Sequence, residues 1–119
     1  MEDVVNIKAN KQEATTTVTD SDTNTYILSK PFEWEGKTYT KLKLDFEKLV
    51  GMDMIAIESE MATHGEYALS PEISTSYLSK LAARAAGVGA DVIEHMPIRD
   101  FGKVKNKARD FLLSTGLTD

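Results

Sequence analysis

Residues 25–44 read TYILSKPFEWEGKTYTKLKL, and this stretch decides the fold class. Its second half alternates: Tyr39, Lys41 and Lys43 interleave with Thr38, Thr40, Leu42 and Leu44. A period of two places successive side chains on opposite faces of a strand, here with one face apolar enough to bury. Residues 25–29 are β-prone as well. Glu35-Gly36 lies between the two runs and supplies a residue that tolerates positive φ. A β-hairpin with its tip at Glu35 and Gly36 is therefore expected. Phe32 and Trp34 extend the first strand, and Pro31, which lacks an N–H, confines it to an edge or a bulge.

On the C-terminal side the period changes to that of helices. Residues 45–50 (DFEKLV) are ambiguous between a helical turn and a loop. Asp53 suits the N-cap of a helix whose face carries Val50, Met54, Ile57 and Met61 and which His64-Gly65 closes. Ser70-Pro71-Glu72 announces a second helix: a capping hydroxyl, a proline at the first helical position and an acid at the positive helix end. Ile73, Tyr77, Leu81 and Ala85 repeat along it, and Gly87 ends it. Residues 91–96 read as a short helix stopped by Pro97. The last helix runs over residues 98–114, with Phe101, Val104, Ala108, Phe111 and Leu112 as its apolar stripe. The expected architecture is α+β: an N-terminal hairpin followed by three to four helices in a single small domain spanning residues 24–116.

On the N-terminal side, residues 1–23 are polar, contain Thr15-Thr16-Thr17, and hold only Val4, Val5, Ile7 and Val18 as scattered apolar anchors. That content cannot offset the entropy of ordering, so a flexible arm is expected there, and a short tail over residues 117–119.

Bulk composition narrows the function classes. A chain of 119 residues with 41% hydrophobic content can bury one core. With no cysteine, disulfide frameworks and thiolate metal sites are excluded. Residues 1–10 carry acids and no sustained apolar stretch, so neither a signal peptide nor a membrane span is expected. The formal net charge of -5 disfavours a general nucleic-acid binder, which needs clustered positive charge.

No constellation points to catalysis. His64 and His95 stand apart, outside HExxH or any paired-ligand spacing, so no metal site is expected. Glu58 and Glu60, two apart on a helix, diverge and read as solvated charge. There is no G-x-S-x-G elbow, and Gly87-Val88-Gly89-Ala90 lacks the rest of a phosphate loop. Arg99, Lys103, Lys105, Lys107 and Arg109 read as the wet side of an amphipathic helix. Nothing calls for a cofactor. The types that anchor interfaces remain: Phe32 and Trp34 on the hairpin and Met52, just before the Asp53 cap, are the candidate partner-binding residues. Core cover is the competing role for the two aromatics.

Three stretches carry a family resemblance: residues 28–39 (LSKPFEWEGKTY), residues 42–55 (LKLDFEKLVGMDMI), and residues 77–104, where Leu81-Ala-Ala-Arg-Ala-Ala-Gly87 leads through Met96-Pro97 to a phenylalanine-bearing helix and Val104-Lys105-Asn106. From Tyr26 to Leu113 the chain resembles the tail assembly chaperones of long-tailed phages and prophages. The resemblance implies a non-enzymatic protein of the host cytoplasm that binds the tape measure protein and keeps it soluble until the tail tube forms around it. It implies absence from the mature virion, homo-oligomers, and in many relatives a frameshifted longer form that recruits tail tube subunits. Two other roles compete: a structural tail component retained in the particle, and a nucleic-acid-associated regulator using residues 99–109.

Overall fold

The computed structural model describes residues 24–115. The expected arm over residues 1–23 and the tail over residues 117–119 lie outside the described residues.

Strands β1 (Thr25–Trp34) and β2 (Lys37–Lys43) form a two-stranded antiparallel sheet. The turn at Glu35 and Gly36 has φ of 49° and 78°, the two left-handed residues of the tight hairpin turn that matches strand twist. Pairing is regular at both ends, with Tyr26 opposite Leu42 and Phe32 opposite Tyr39. Between them the register jumps: Leu28 to Pro31 stand against Thr40 alone. Proline cannot donate to a ladder, so this wide bulge is where Pro31 fits. The bulge also re-aims the side chains. Leu28 and Leu42 enter the core, while Phe32, Trp34 and Tyr39 form a half-buried aromatic row beyond it. Phe32 stacks on Trp34 at 6.5 Å between ring centres and lies 6.2 Å from Tyr39.

Four α-helices follow: α1 (Gly51–Thr63), α2 (Thr75–Ala86), α3 (Ala90–Glu94) and α4 (Ile98–Thr115). The ambiguous segment before α1 is a 3-10 turn over Phe46–Lys48. Helix α2 is central, packed against α1, α3, α4 and the base of the hairpin. Tyr77, Leu78, Leu81, Ala82, Ala83 and Ala85 are buried on several sides of it, as a helix enclosed by neighbours requires, and its alanines permit their close approach. Ile57 and Met61 of α1, Ile93 of α3, and Val104, Ala108 and Leu112 of α4 complete the core with Leu28, Leu42 and Leu44.

Three local expectations change. Asp53 does not cap α1 from outside. Val50 holds the cap position, and Asp53 sits one turn in and accepts the Val50 N–H at 2.8 Å. Ser70-Pro71-Glu72 opens only a 3-10 turn (Pro71–Ile73), and α2 starts after Ser74, whose hydroxyl accepts the Tyr77 N–H at 3.2 Å. Ile73 therefore leaves the apolar stripe and is exposed. Phe111 lies at the margin of the α4 stripe, half-buried, with its ring stacked on Phe46 at 5.2 Å. Leu112 takes the core position beside it.

Candidate partner-binding surface

Helix α1 carries two apolar stripes. Met54, Ile57 and Met61 face inward. Met52, Ile55 and Ala62, with the polar Ser59 between the last two, are spaced three and four apart and form a second, outward-facing stripe. Met52 is 66% exposed and Ile55 54%. Gly65, at φ +74°, then turns the chain back, and the Glu66 N–H bonds to the Met61 carbonyl at 2.9 Å. The returning strand of chain lays Tyr67, Ala68 and Leu69 alongside α1, closing a groove of about 430 Å³ with Ile55, Met61 and Ala62 in its walls. Leu69 is 97% exposed and Tyr67 75%, so the groove's outer lip is apolar and open to solvent. Glu58 and Glu66 line the same groove.

A polar cleft of about 490 Å³ adjoins it through Glu66 and is lined also by Glu60, His64, Lys80, Asp91 and Glu94. Its single lysine is engaged: Lys80 Nζ lies 3.7 Å from Glu60 and 3.5 Å from Glu94, tying α1, α2 and α3 together. Arg84 adds a second tie, 2.8 Å from Asp53 Oδ1. The Val50 N–H and then the Arg84 guanidinium hold the Asp53 carboxyl below the usual range. No group of three histidine or acidic residues suited to a metal occurs among the described residues. His64 and His95 each place Nδ1 against a carbonyl of the helix they follow, 3.1 Å from Glu60 O and 2.8 Å from Asp91 O.

The three residues singled out in the sequence part company. Met52 stands on the outer stripe of α1. Phe32 and Trp34 sit in the aromatic row, and Trp34 is held on both sides. Its indole stacks on the His95 ring at 4.1 Å, and its Nε1–H donates to Asp91 Oδ2 at 2.9 Å. That bond is the main reason the Asp91 carboxyl is held below its usual range. The structure thus docks Trp34 against α3 and its cap, while Phe32 stacks on Trp34 and packs against the core. Sequence reasoning did not find Ile55, Tyr67 and Leu69, although the i, i+3, i+7, i+10 spacing from Met52 was available to find the outer stripe.

One acid in the basic stretch has a different fate from its neighbours. Asp100, in the first turn of α4, is fully buried. Its Oδ1 accepts the Tyr26 hydroxyl at 2.5 Å and the Ser29 N–H at 2.9 Å, and its Oδ2 accepts the Ser29 hydroxyl at 2.9 Å. Burial alone would push this carboxyl up, but the three bonds outweigh it and hold it below the usual range. This arrangement fixes β1 to α4 and is structural.

An exposed apolar stripe, an apolar groove beside it and a latched hairpin suit a protein that holds another chain. A family model for phage tail assembly chaperone proteins (E, or 41 or 14) matches residues 25–113. The chain belongs to that family. No curated protein and no solved structure matches the chain. The match begins with the first residue of β1 and ends within the last turns of α4, so it covers every element described above. No described helix is long and apolar enough to cross a membrane.

Proposed function

We propose that this chaperone is non-enzymatic and acts by binding an amphipathic helical segment of a tape measure protein, keeping it soluble until the tail tube assembles. Its place of action is then the host cytoplasm, and it leaves before the virion is complete. The carrying observation is the outer stripe of α1, where Met52 and Ile55 stand exposed although the same helix already buries Met54, Ile57 and Met61. A monomer gains nothing from that second stripe, whereas a contiguous apolar surface with a polar rim suits a helical partner. Met52 is the first anchor of the contact. Phe32 and Trp34, whose rings remain partly accessible, offer a separate second contact on the hairpin. Self-association and recruitment of tail tube protein by a longer form are further parts of this reading, and they rest on the family.

The test is co-expression with the cognate tape measure protein, with solubility and co-purification as readouts. A soluble complex that weakens with Met52→Ser supports both the function and the anchor. A tape measure protein that precipitates equally with and without the chaperone defeats the reading.

A further inference from the structure

The groove between α1 and residues 66–69 has a charge pattern that selects its occupant. Its floor and lip are apolar through Ile55, Ala62, Tyr67 and Leu69, while Glu58 and Glu66 stand in its walls. Beyond Glu66 the adjoining cleft adds Glu60, Asp91 and Glu94, and its one lysine is already shared between Glu60 and Glu94. An apolar trough with Glu58 and Glu66 in its walls, beside a cleft where one lysine faces three further acids, is net negative and complementary to a helix whose apolar stripe is flanked by cations. Helix α1 has 13 residues and so is roughly 20 Å long, enough to lie along three to four turns of a partner helix.

A second copy of this chain fits less well. Helix α4 has the lysines, but its apolar stripe of Val104, Ala108 and Leu112 is spent in its own core. Two α1 faces placed together would bring Glu58 and Glu66 of each copy against the other's acids, and like charges across an interface repel. Among the described residues, no helix of this chain presents an apolar stripe with basic flanks to solvent.

We infer that the groove takes an amphipathic helix of another protein whose apolar stripe is flanked by lysine or arginine. Naming the tape measure protein as the owner of that helix rests on the function proposed above. The charge requirement does not.

The experiment uses the full chain and two labelled synthetic helical peptides with the same leucine stripe, one with lysine flanks and one with glutamate flanks, followed by fluorescence anisotropy. The lysine peptide should bind on the order of tenfold tighter, and salt should shrink that margin. Glu58→Gln with Glu66→Gln should remove most of the margin. Leu69→Ser, alone and with Ile55→Ser, should weaken the lysine peptide by about tenfold without altering the circular dichroism, since both residues are exposed. Equal binding of both peptides, binding of neither, or indifference to the leucine and isoleucine changes overturns the inference. So does sedimentation showing a dimer that Leu69→Ser dissolves, because the occupant is then a second copy. The functional reading fails separately. If the parent cannot keep the tape measure protein soluble while the peptide preference holds, the groove stands and the named partner falls. If the groove variants keep it soluble as well as the parent does, the groove is not where that partner binds.

Discussion

The Tyr26 hydroxyl donates to Asp100 Oδ1 at 2.5 Å, joining the first strand to the last helix across a sequence separation of 74 residues. Ser29 completes the contact with its N–H and its hydroxyl, so one buried carboxylate serves three donors of β1, two of them in the bulge. It also lies in the first turn of α4, where the helix dipole favours a negative charge.

Asp100→Ala should therefore destabilise the protein far more than loss of a surface acid does. The two Ser29 donors and the Tyr26 hydroxyl, all on β1, lose their acceptor in a buried place, which costs about 3 kcal/mol. Tyr26→Phe removes one bond and should cost about 1 kcal/mol. Urea unfolding measures both. A loss below about 0.5 kcal/mol for Asp100→Ala, the range of ordinary surface changes, would show that the contact does not hold the hairpin.

The pH dependence follows from the same groups. Asp53, Asp91 and Asp100 are all held below the usual carboxylate range, so the unfolded chain binds their protons first as pH falls. Their contribution is complete above pH of about 4 and is lost as pH drops through the folded-state values. Tyr26 and Tyr77 are pushed up to about 12, chiefly by burial, with Asp100 and Glu58 respectively adding to the shift. Their contribution is complete below the ordinary tyrosine value near 10 and is lost as pH rises from there toward 12. Melting temperature against pH should show both limbs. Asp100→Asn should flatten the acid limb, and an unchanged acid limb would remove Asp100 from this account.

Tyr77 is fully buried, and its hydroxyl has no hydrogen-bond partner among the described residues. Tyr77→Phe keeps the ring and removes the orphaned group, so it should leave stability unchanged or raise it by up to about 1 kcal/mol. Leu81→Ala, on the same helix, should instead cost about 2–5 kcal/mol, because it opens a cavity in the centre of the core. Chemical denaturation of the two variants side by side is the check. A Tyr77→Phe loss comparable to that of Leu81→Ala would mean that the hydroxyl is satisfied after all.

Trp34 is the chain's single tryptophan, so its fluorescence reports the hairpin alone. With its ring on His95 and its N–H on Asp91, it should be shielded from iodide in the parent protein. Asp91→Ala should raise its quenching and red-shift its emission, as should His95→Ala, while the helical dichroism stays in place. If quenching is already that of a free indole in the parent, the hairpin is not latched to α3 in solution.

The sequence by itself determined the elements, because each rests on neighbours in the chain. Alternation through residues 38–44, the Glu35-Gly36 tip, Gly87 after α2 and Pro97 before α4 are local chemistry, and local chemistry is written in order. The boundaries of α1 and α2 were harder to read because several capping groups compete. Ser70 and Ser74 both precede a helix-forming run, and only packing of Tyr77 into the core decides for Ser74. Tertiary structure alone decided the rest. Helical spacing puts Asp100, four residues before Val104, on the α4 stripe and leaves Asp110 off it, but only β1 supplies the Tyr26 and Ser29 donors that let the buried carboxylate stay charged. Nothing in Phe32 and Trp34 says that α3 will offer His95 and Asp91 to hold the indole. The groove beside α1 needs two walls, and the second, residues 66–69, is supplied by a reversal at Gly65. A site made where two segments meet has no signature in either one. Burial, the property that separates an anchor from a core residue, is set by what the rest of the chain leaves uncovered.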